Sequence, residues 1–215
     1  MKQTLFITGT DTGVGKTVLT ALLVKFLRGR GVNAAALKPV CSGGRGDARK
    51  IFAAMNGAVE VQSSKSKVQS IALSLDEINP WHFRAAVAPL LAARREKKKV
   101  KLSQVVAHAR AMQKRFDILL IEGAGGLLSP LGENFNSRDL ILALRAMPIV
   151  VAQNKLGAVN QVLLTLEALP ESLRAKSRVV LVSPQKPDAA TKTNATLLAE
   201  FFDAGKIFLL PRLNK

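Results

Sequence analysis

With 215 residues, 48% of them hydrophobic, the chain is long enough for one large domain with a sizeable core and too apolar to be a disordered segment. Its formal net charge of +17 would suit a polyanion, but the sequence has no Tyr and one Trp, which argues against the aromatic stacking of single-strand binders. Nucleic acid is therefore not the expected partner; the charge could equally reflect a basic proteome or attraction of nucleotide and carboxylate substrates.

No apolar run approaches the roughly 18 residues that a membrane span needs. Residues 1–4 lead directly into the first apolar segment, so no leader peptide is expected. A single cysteine, Cys41, excludes an internal disulfide and fits a reducing cytoplasm.

Apolar runs of strand length fall at 5–7, 34–37, 118–121, 149–152, 179–182 and 207–210. Most lack polar alternation, as strands covered on both faces do. Helical patterns lie between them near 16–29, 47–55, 103–115, 138–146, 158–169 and 189–203. The alternation predicts an α/β fold with a mostly parallel sheet, helices on both faces, and ligands at the carboxyl ends of the strands. Residues 56–80 read as a loop with a short strand, 183–188 as a turn, and the basic run 94–101 as a solvated turn between helices. No linker or internal repeat divides the chain, so residues 1–215 are expected to form one domain.

The first strand runs into residues 9–17, Gly-Thr-Asp-Thr-Gly-Val-Gly-Lys-Thr. Strand, glycine-rich loop and helix in succession make a P-loop, one residue longer than the usual spacing. The backbone amides form an anion cradle, Lys16 can reach the outer phosphates, and Thr17 is placed to hold magnesium. After the second strand, Lys38-Pro39 keeps the chain extended and sends a lysine toward the phosphates. Ser42 and two glycines follow, and then Asp47, read as a helix cap that can still face a metal.

Glu122 ends the third strand and precedes Gly-Ala-Gly-Gly, a second acidic group for magnesium. Asp117 lies at the wrong end of that strand and is expected to cap a turn. Gly157 opens a further helix whose free amides suit a carboxylate, although a plain strand-to-helix turn accounts for it equally well. Cys41 reads as a small buried residue and His108 as structural or exposed.

Taken together, residues 8–17, Lys38-Pro39-Val40 with Ser42-Gly43, Asp47, Asn79-Pro80, Glu122 to Gly126, and Lys155-Leu156-Gly157 with Asn160 resemble the ATP-dependent dethiobiotin synthetases. The resemblance implies a P-loop NTPase-like three-layer fold and closure of a cyclic urea. In that chemistry 7,8-diaminononanoate takes up carbon dioxide as a carbamate, ATP phosphorylates it, and the second amine displaces phosphate.

It implies nucleotide contacts from Asp11, Thr12, Gly13, Val14, Gly15, Lys16, Thr17, Glu122, Gly125, Ser183 and Pro211. Thr17, Asp47 and Glu122 would hold Mg2+. Lys16 and Lys38 would neutralise charge in the reaction, with Thr12 and Ser42 bonding phosphate or carbamate oxygens. Gly157, Ala158, Val159 and Asn160 would receive the substrate carboxylate from a neighbouring subunit of a homodimer.

The sequence departs from the family where Gly13 replaces a frequent Glu and where Ala85 to Leu90 lack the usual Glu-Pro and Ser-Pro-His. Ser183 stands for the adenine-reading Asn, and the chain beyond Pro211 is short, which together predict a relaxed nucleobase preference. Two other readings compete. One is a related P-loop amidoligase-like or regulatory domain with a diverged substrate. The other is a partition-type scaffold ATPase, against which Asp11 stands where those proteins carry a second lysine.

Overall fold

A computed structural model describes residues 2–57 and 72–211. In chain order they form β1 (Gln3–Gly9), α1 (Lys16–Gly29), β2 (Ala34–Leu37), β3 (Val40–Cys41), α2 (Gly46–Asn56), α3 (Leu75–Ile78), β4 (Trp81–His82), α4 (Pro89–Arg95) and α5 (Leu102–Gln113). There follow β5 (Ile118–Glu122), β6 (Pro130–Gly132), β7 (Phe135–Asn136), α6 (Ser137–Leu144), β8 (Met147–Gln153), α7 (Ala158–Glu167), α8 (Glu171–Arg174), β9 (Arg178–Val182), α9 (Ala189–Leu198) and β10 (Ile207–Leu210).

Six strands form one sheet in the order β10-β9-β8-β1-β5-β2, and every pair is parallel. Successive strand residues point to opposite faces, so the unbroken burial of β2 and of residues 119–122 requires cover on both sides. Helices supply it, and the three-layer α/β arrangement is as expected. Ala34, Ala35 and Ala36 leave room beside the edge strand. Met55 of α2 fills it, and its Sδ accepts the Ala36 N–H at 3.2 Å.

All six expected strands and all six expected helices are present. Local chemistry sets the bounds of three of the helices. Pro170 stops α7 at Glu167, since the residue before a proline disfavours helical geometry. Past Leu198 the chain tightens into i→i+3 bonds from Ala199, Glu200 and Phe201, so α9 does not reach 203. Helix α5 starts at Leu102, where Gln104 Oε1 takes the Lys101 N–H at 3.0 Å.

The sequence reading missed α4, with Pro89 in its first turn, because its end merges with the basic run; the solvated turn begins after Arg95. It also missed the two-residue parallel pair β3–β4. Of the expected loop at 56–80, residues 58–71 lie outside the described residues. The described remainder holds α3, capped by Ser74 and Glu77, in place of a strand of the main sheet. Residues 212–215 also lie outside the described residues. Among those described, no helix is long and apolar enough to cross a membrane.

Candidate active site

β1 lies between β8 and β5, so the loops leaving the carboxyl ends of these strands face one crevice. The loop after β1 is tied down by Thr10 N–H to Val151 O at 3.0 Å. Gly15 has φ 106°, a left-handed conformation, and a Cβ there would meet the Val182 side chain at 3.0 Å. Glycine is thus required for backbone conformation and for close packing against β9.

Lys16 opens α1, is buried, and points its Nζ back to Asp11 O at 2.7 Å. Burial, and then the charge of Lys38, lower its pKa to about 8.

Lys38 leaves β2 fixed at both backbone groups. Its N–H donates to Ile78 O at 3.0 Å, and its carbonyl accepts from Asn79 Nδ2 at 2.7 Å. Asn79 in turn accepts from Cys41 Sγ and Arg45 Nε, both at 3.2 Å. This is the physical work of the Asn79-Pro80 pair, and the sequence reading gave it none. The Lys38 Nζ lies 2.5 Å from Glu122 Oε1 and 3.2 Å from Asp47 Oδ2. Burial opposes its charge, yet the two carboxylates hold its pKa above the ordinary lysine value.

Glu122 Oε1 also accepts from Thr17 Oγ1 at 2.7 Å, whereas its Oε2 is buried with no partner. Asp47 is not the cap of α2; that position belongs to Arg45, and Asp47 sits within the first turn facing Lys38. Burial is the largest single influence and acts to raise its pKa, but Lys38, Lys50 and Thr17 together lower it.

A buried carboxylate oxygen without a donor is costly. With Thr17 and Asp47 it makes an all-oxygen set that fits a hard divalent cation such as Mg2+. Among the described residues no group of three or more His, Cys, Asp or Glu is arranged to hold a metal ion by itself.

These groups line a cavity of about 590 Å3, together with Thr12, Gly13, Ser42, Ala86 to Pro89, Gly125 and Ser129. Ser42 Oγ donates to Val87 O at 2.5 Å, so in this arrangement it braces the apolar wall. Ser129 Oγ accepts the Gly126 N–H at 2.9 Å. Lys50 lines the cavity as well, and its spacing of three from Asp47 on α2 was the signal that could have found it. Cys41 borders the cavity, and burial pushes its thiol pKa up.

Other expected site residues lie outside this cavity on the same carboxyl edge of the sheet. Asp11 and Val14 are in the P-loop behind it. Gly157, with φ 85°, caps α7 after β8, with Ala158 buried, Val159 half-buried and Asn160 exposed. Ser183 follows β9 and donates its N–H to Leu210 O at 2.9 Å, and Pro211 follows β10, exposed.

Asp117 lies at the opposite edge, where its backbone N–H and O bond Asn33 and Gln3. His108 is structural, with its Nε2 2.8 Å from Glu77 O and its ring edge-on to Trp81.

The chain matches the family described as AAA domain over residues 3–214. It is 37% identical to the ATP-dependent dethiobiotin synthetase BioD of Akkermansia muciniphila over 94% of this chain and 89% of that protein. The protein of the same description from Thermodesulfovibrio yellowstonii is 33% identical over 100% and 91% of the two chains. Among solved structures, a ParA family ATPase from Chlorobium tepidum aligns with a TM-score of 0.60 at 11% identity, over 100% of this chain and 86% of that one. That likeness concerns the fold alone.

Proposed function

The chain belongs to the family of ATP-dependent dethiobiotin synthetases, and we propose that its cavity closes the ureido ring of dethiobiotin from 7,8-diaminononanoate and carbon dioxide. One observation carries the assignment of the chemistry to residues. Lys38, buried yet held charged by Glu122 and Asp47, shares the cavity with Lys16 at the mouth of the phosphate cradle. Two fixed cations in a partly dry site suit a reaction in which negative charge moves between a carbamate and a phosphoryl group.

The backbone of residues 11–15 cradles the phosphates of ATP, and Lys16 exchanges Asp11 O for a phosphate oxygen. Lys38 stabilises the carbamate as it attacks the γ-phosphorus. Thr12 donates to an oxygen of the transferring group, and Ser42 does the same on releasing Val87 O. When the second amine attacks the carbonyl carbon of the mixed anhydride, the carbon–oxygen bond to phosphate breaks and the amine gives up a proton. Thr17, Asp47 and Glu122 would hold Mg2+, which supplies charge neutralisation between phosphate oxygens when bound.

The segment Gly157 to Asn160 lies outside the cavity of its own subunit. That supports a homodimer in which it takes the substrate carboxylate of the neighbouring subunit through the free amides of α7. Ser183 and Pro211 flank the nucleobase, with the relaxed base preference noted above. The enzyme acts in the cytoplasm as a single P-loop domain of the ligase class.

The test is to mix the protein with diaminononanoate, bicarbonate, ATP and magnesium and to look for dethiobiotin by mass spectrometry. Product that is lost on Lys38→Ala or Lys16→Ala supports the reading. Nucleotide binding without product points to a diverged substrate and overturns it. ATPase activity stimulated by DNA would favour the partition-type alternative.

A further inference from the structure

The active-site cavity uses only three of the 32 Lys and Arg residues and balances them with Asp47 and Glu122. At the opposite end of the sheet, where the strands begin, the charge is one-sided. A cleft of about 500 Å3 there is lined by Lys2, Arg110, Lys114 and Arg145. An adjoining cleft of about 480 Å3 shares Lys2 and Arg145 and adds Lys176, Arg178 and Lys206. Neither is lined by an Asp or a Glu.

Three of the seven cations are held in place by neutral carbonyls, which orient Lys2 and Arg110 without cancelling their charge; Lys206 is also paired with Asp203. Lys2 donates to Lys114 O at 2.5 Å, Arg110 to Ala143 O at 3.2 Å and Lys206 to Ala175 O at 2.9 Å. The neighbouring acidic groups include Asp203, paired with Lys206 at 2.8 Å, Glu167 and Glu171, which share a further cleft with Lys206 and are paired with Arg174, and the exposed Asp117 beside Gln3. Parallel topology explains the concentration: helices α5 and α6 end at this edge, and cations are favourable near helix C-termini.

We propose that this amino-end face binds the phosphate backbone of a nucleic-acid duplex without reading its sequence. Lysine and arginine contacts to phosphate supply such binding by releasing counterions. Arginines 110, 145 and 178 add the bidentate geometry that phosphate favours. Single strands are disfavoured, because the one aromatic in the clefts, Phe116, is 1% exposed and offers no stacking surface. A protein partner is disfavoured because its interface would want exposed aromatic anchors, and these clefts have none. The surface is separate from the ring-closing site and independent of that assignment.

The experiment measures binding of a mixed-sequence 20-base-pair DNA duplex by fluorescence anisotropy between 50 and 200 mM salt, with ATP and magnesium saturating the P-loop. The variant carries Lys114→Gln, Arg145→Asn and Lys176→Gln; Asn suits the left-handed conformation at residue 145, where φ is 50°. The expected result is a salt slope smaller by about 3 and an affinity lower by about tenfold or more at 100 mM salt. The control carries Arg95→Gln, Lys99→Gln and Lys192→Gln, with the same net charge, and should bind as the parent does.

If the triple variant does not fold, the pair Lys114→Gln and Lys176→Gln should reduce the slope by about 2. Absence of binding by the parent at 50 mM salt, or equal loss in the control, overturns the proposal. Competition by polyglutamate as effective as by duplex overturns its nucleic-acid assignment.

Discussion

Replacing Lys38 by Met separates the structural role of this lysine from its chemical one. The Lys38 side chain is 5% exposed and that of Glu122 is fully buried, with their charged atoms 2.5 Å apart. Removing one partner of such a pair strands the other charge in the interior and costs roughly 3–5 kcal/mol. The bridge to Asp47 adds less than about 1 kcal/mol, because that carboxylate is 48% exposed and solvent screens it.

For a chain of this size each kcal/mol moves Tm by about 2–4 °C, so Lys38→Met is expected to lower Tm by about 6–20 °C. Adding Glu122→Gln removes the stranded charge while keeping an acceptor for Thr17, and most of the loss should return. Residues in direct contact are expected to couple in this way. Dethiobiotin formation should stay about 10²–10³-fold down in both variants, since the cation facing the reacting oxygens is gone in each. Thermal unfolding and turnover of the parent, both single variants and the double variant complete the cycle. A Lys38→Met protein as stable as its parent, or a double variant no more stable than Lys38→Met, would refute the reasoning.

Three further outcomes are expected. Lys16, at about 8 in the nucleotide-free chain, is half charged near pH 8, and phosphate favours its charged form. Binding of ATP at pH 8 should therefore take up roughly half a proton, with affinity falling as pH rises further; titration calorimetry in two buffers of different ionisation enthalpy reads this, and zero uptake contradicts it.

The thermal shift given by ATP should shrink when EDTA removes magnesium. Glu122→Gln should make the shift nearly insensitive to magnesium. Gly125→Ala, whose Cβ would lie 2.5 Å from Ser129 Oγ at φ 69°, should cost more stability than Gly13→Ala. Gly13 shares the left-handed conformation at φ 74° but faces open space, so only the backbone cost of about 1–2 kcal/mol applies, as denaturant unfolding would report.

The sequence by itself determined the sheet and the cradle. Buried strands such as 118–121 and the loop 9–17 are local signals, because burial on both faces requires an unbroken apolar run and a P-loop requires its glycines in a fixed order. Lys38 and Glu122 were legible as strand-end residues, 84 positions apart, but nothing local says that they touch. The parallel pairing of β2 with β5 and of β5 with β1 sets that contact.

Only the tertiary structure decided that Asn79 pins Lys38, that Ser42 braces Val87, and that Asp47 faces a lysine instead of capping its helix. It also gathered Lys2, Lys114, Arg145 and Lys176 at one edge, although they are scattered over some 175 positions of the sequence. Composition reports the size of a charge, but where it collects depends on which strand and helix ends the topology brings together.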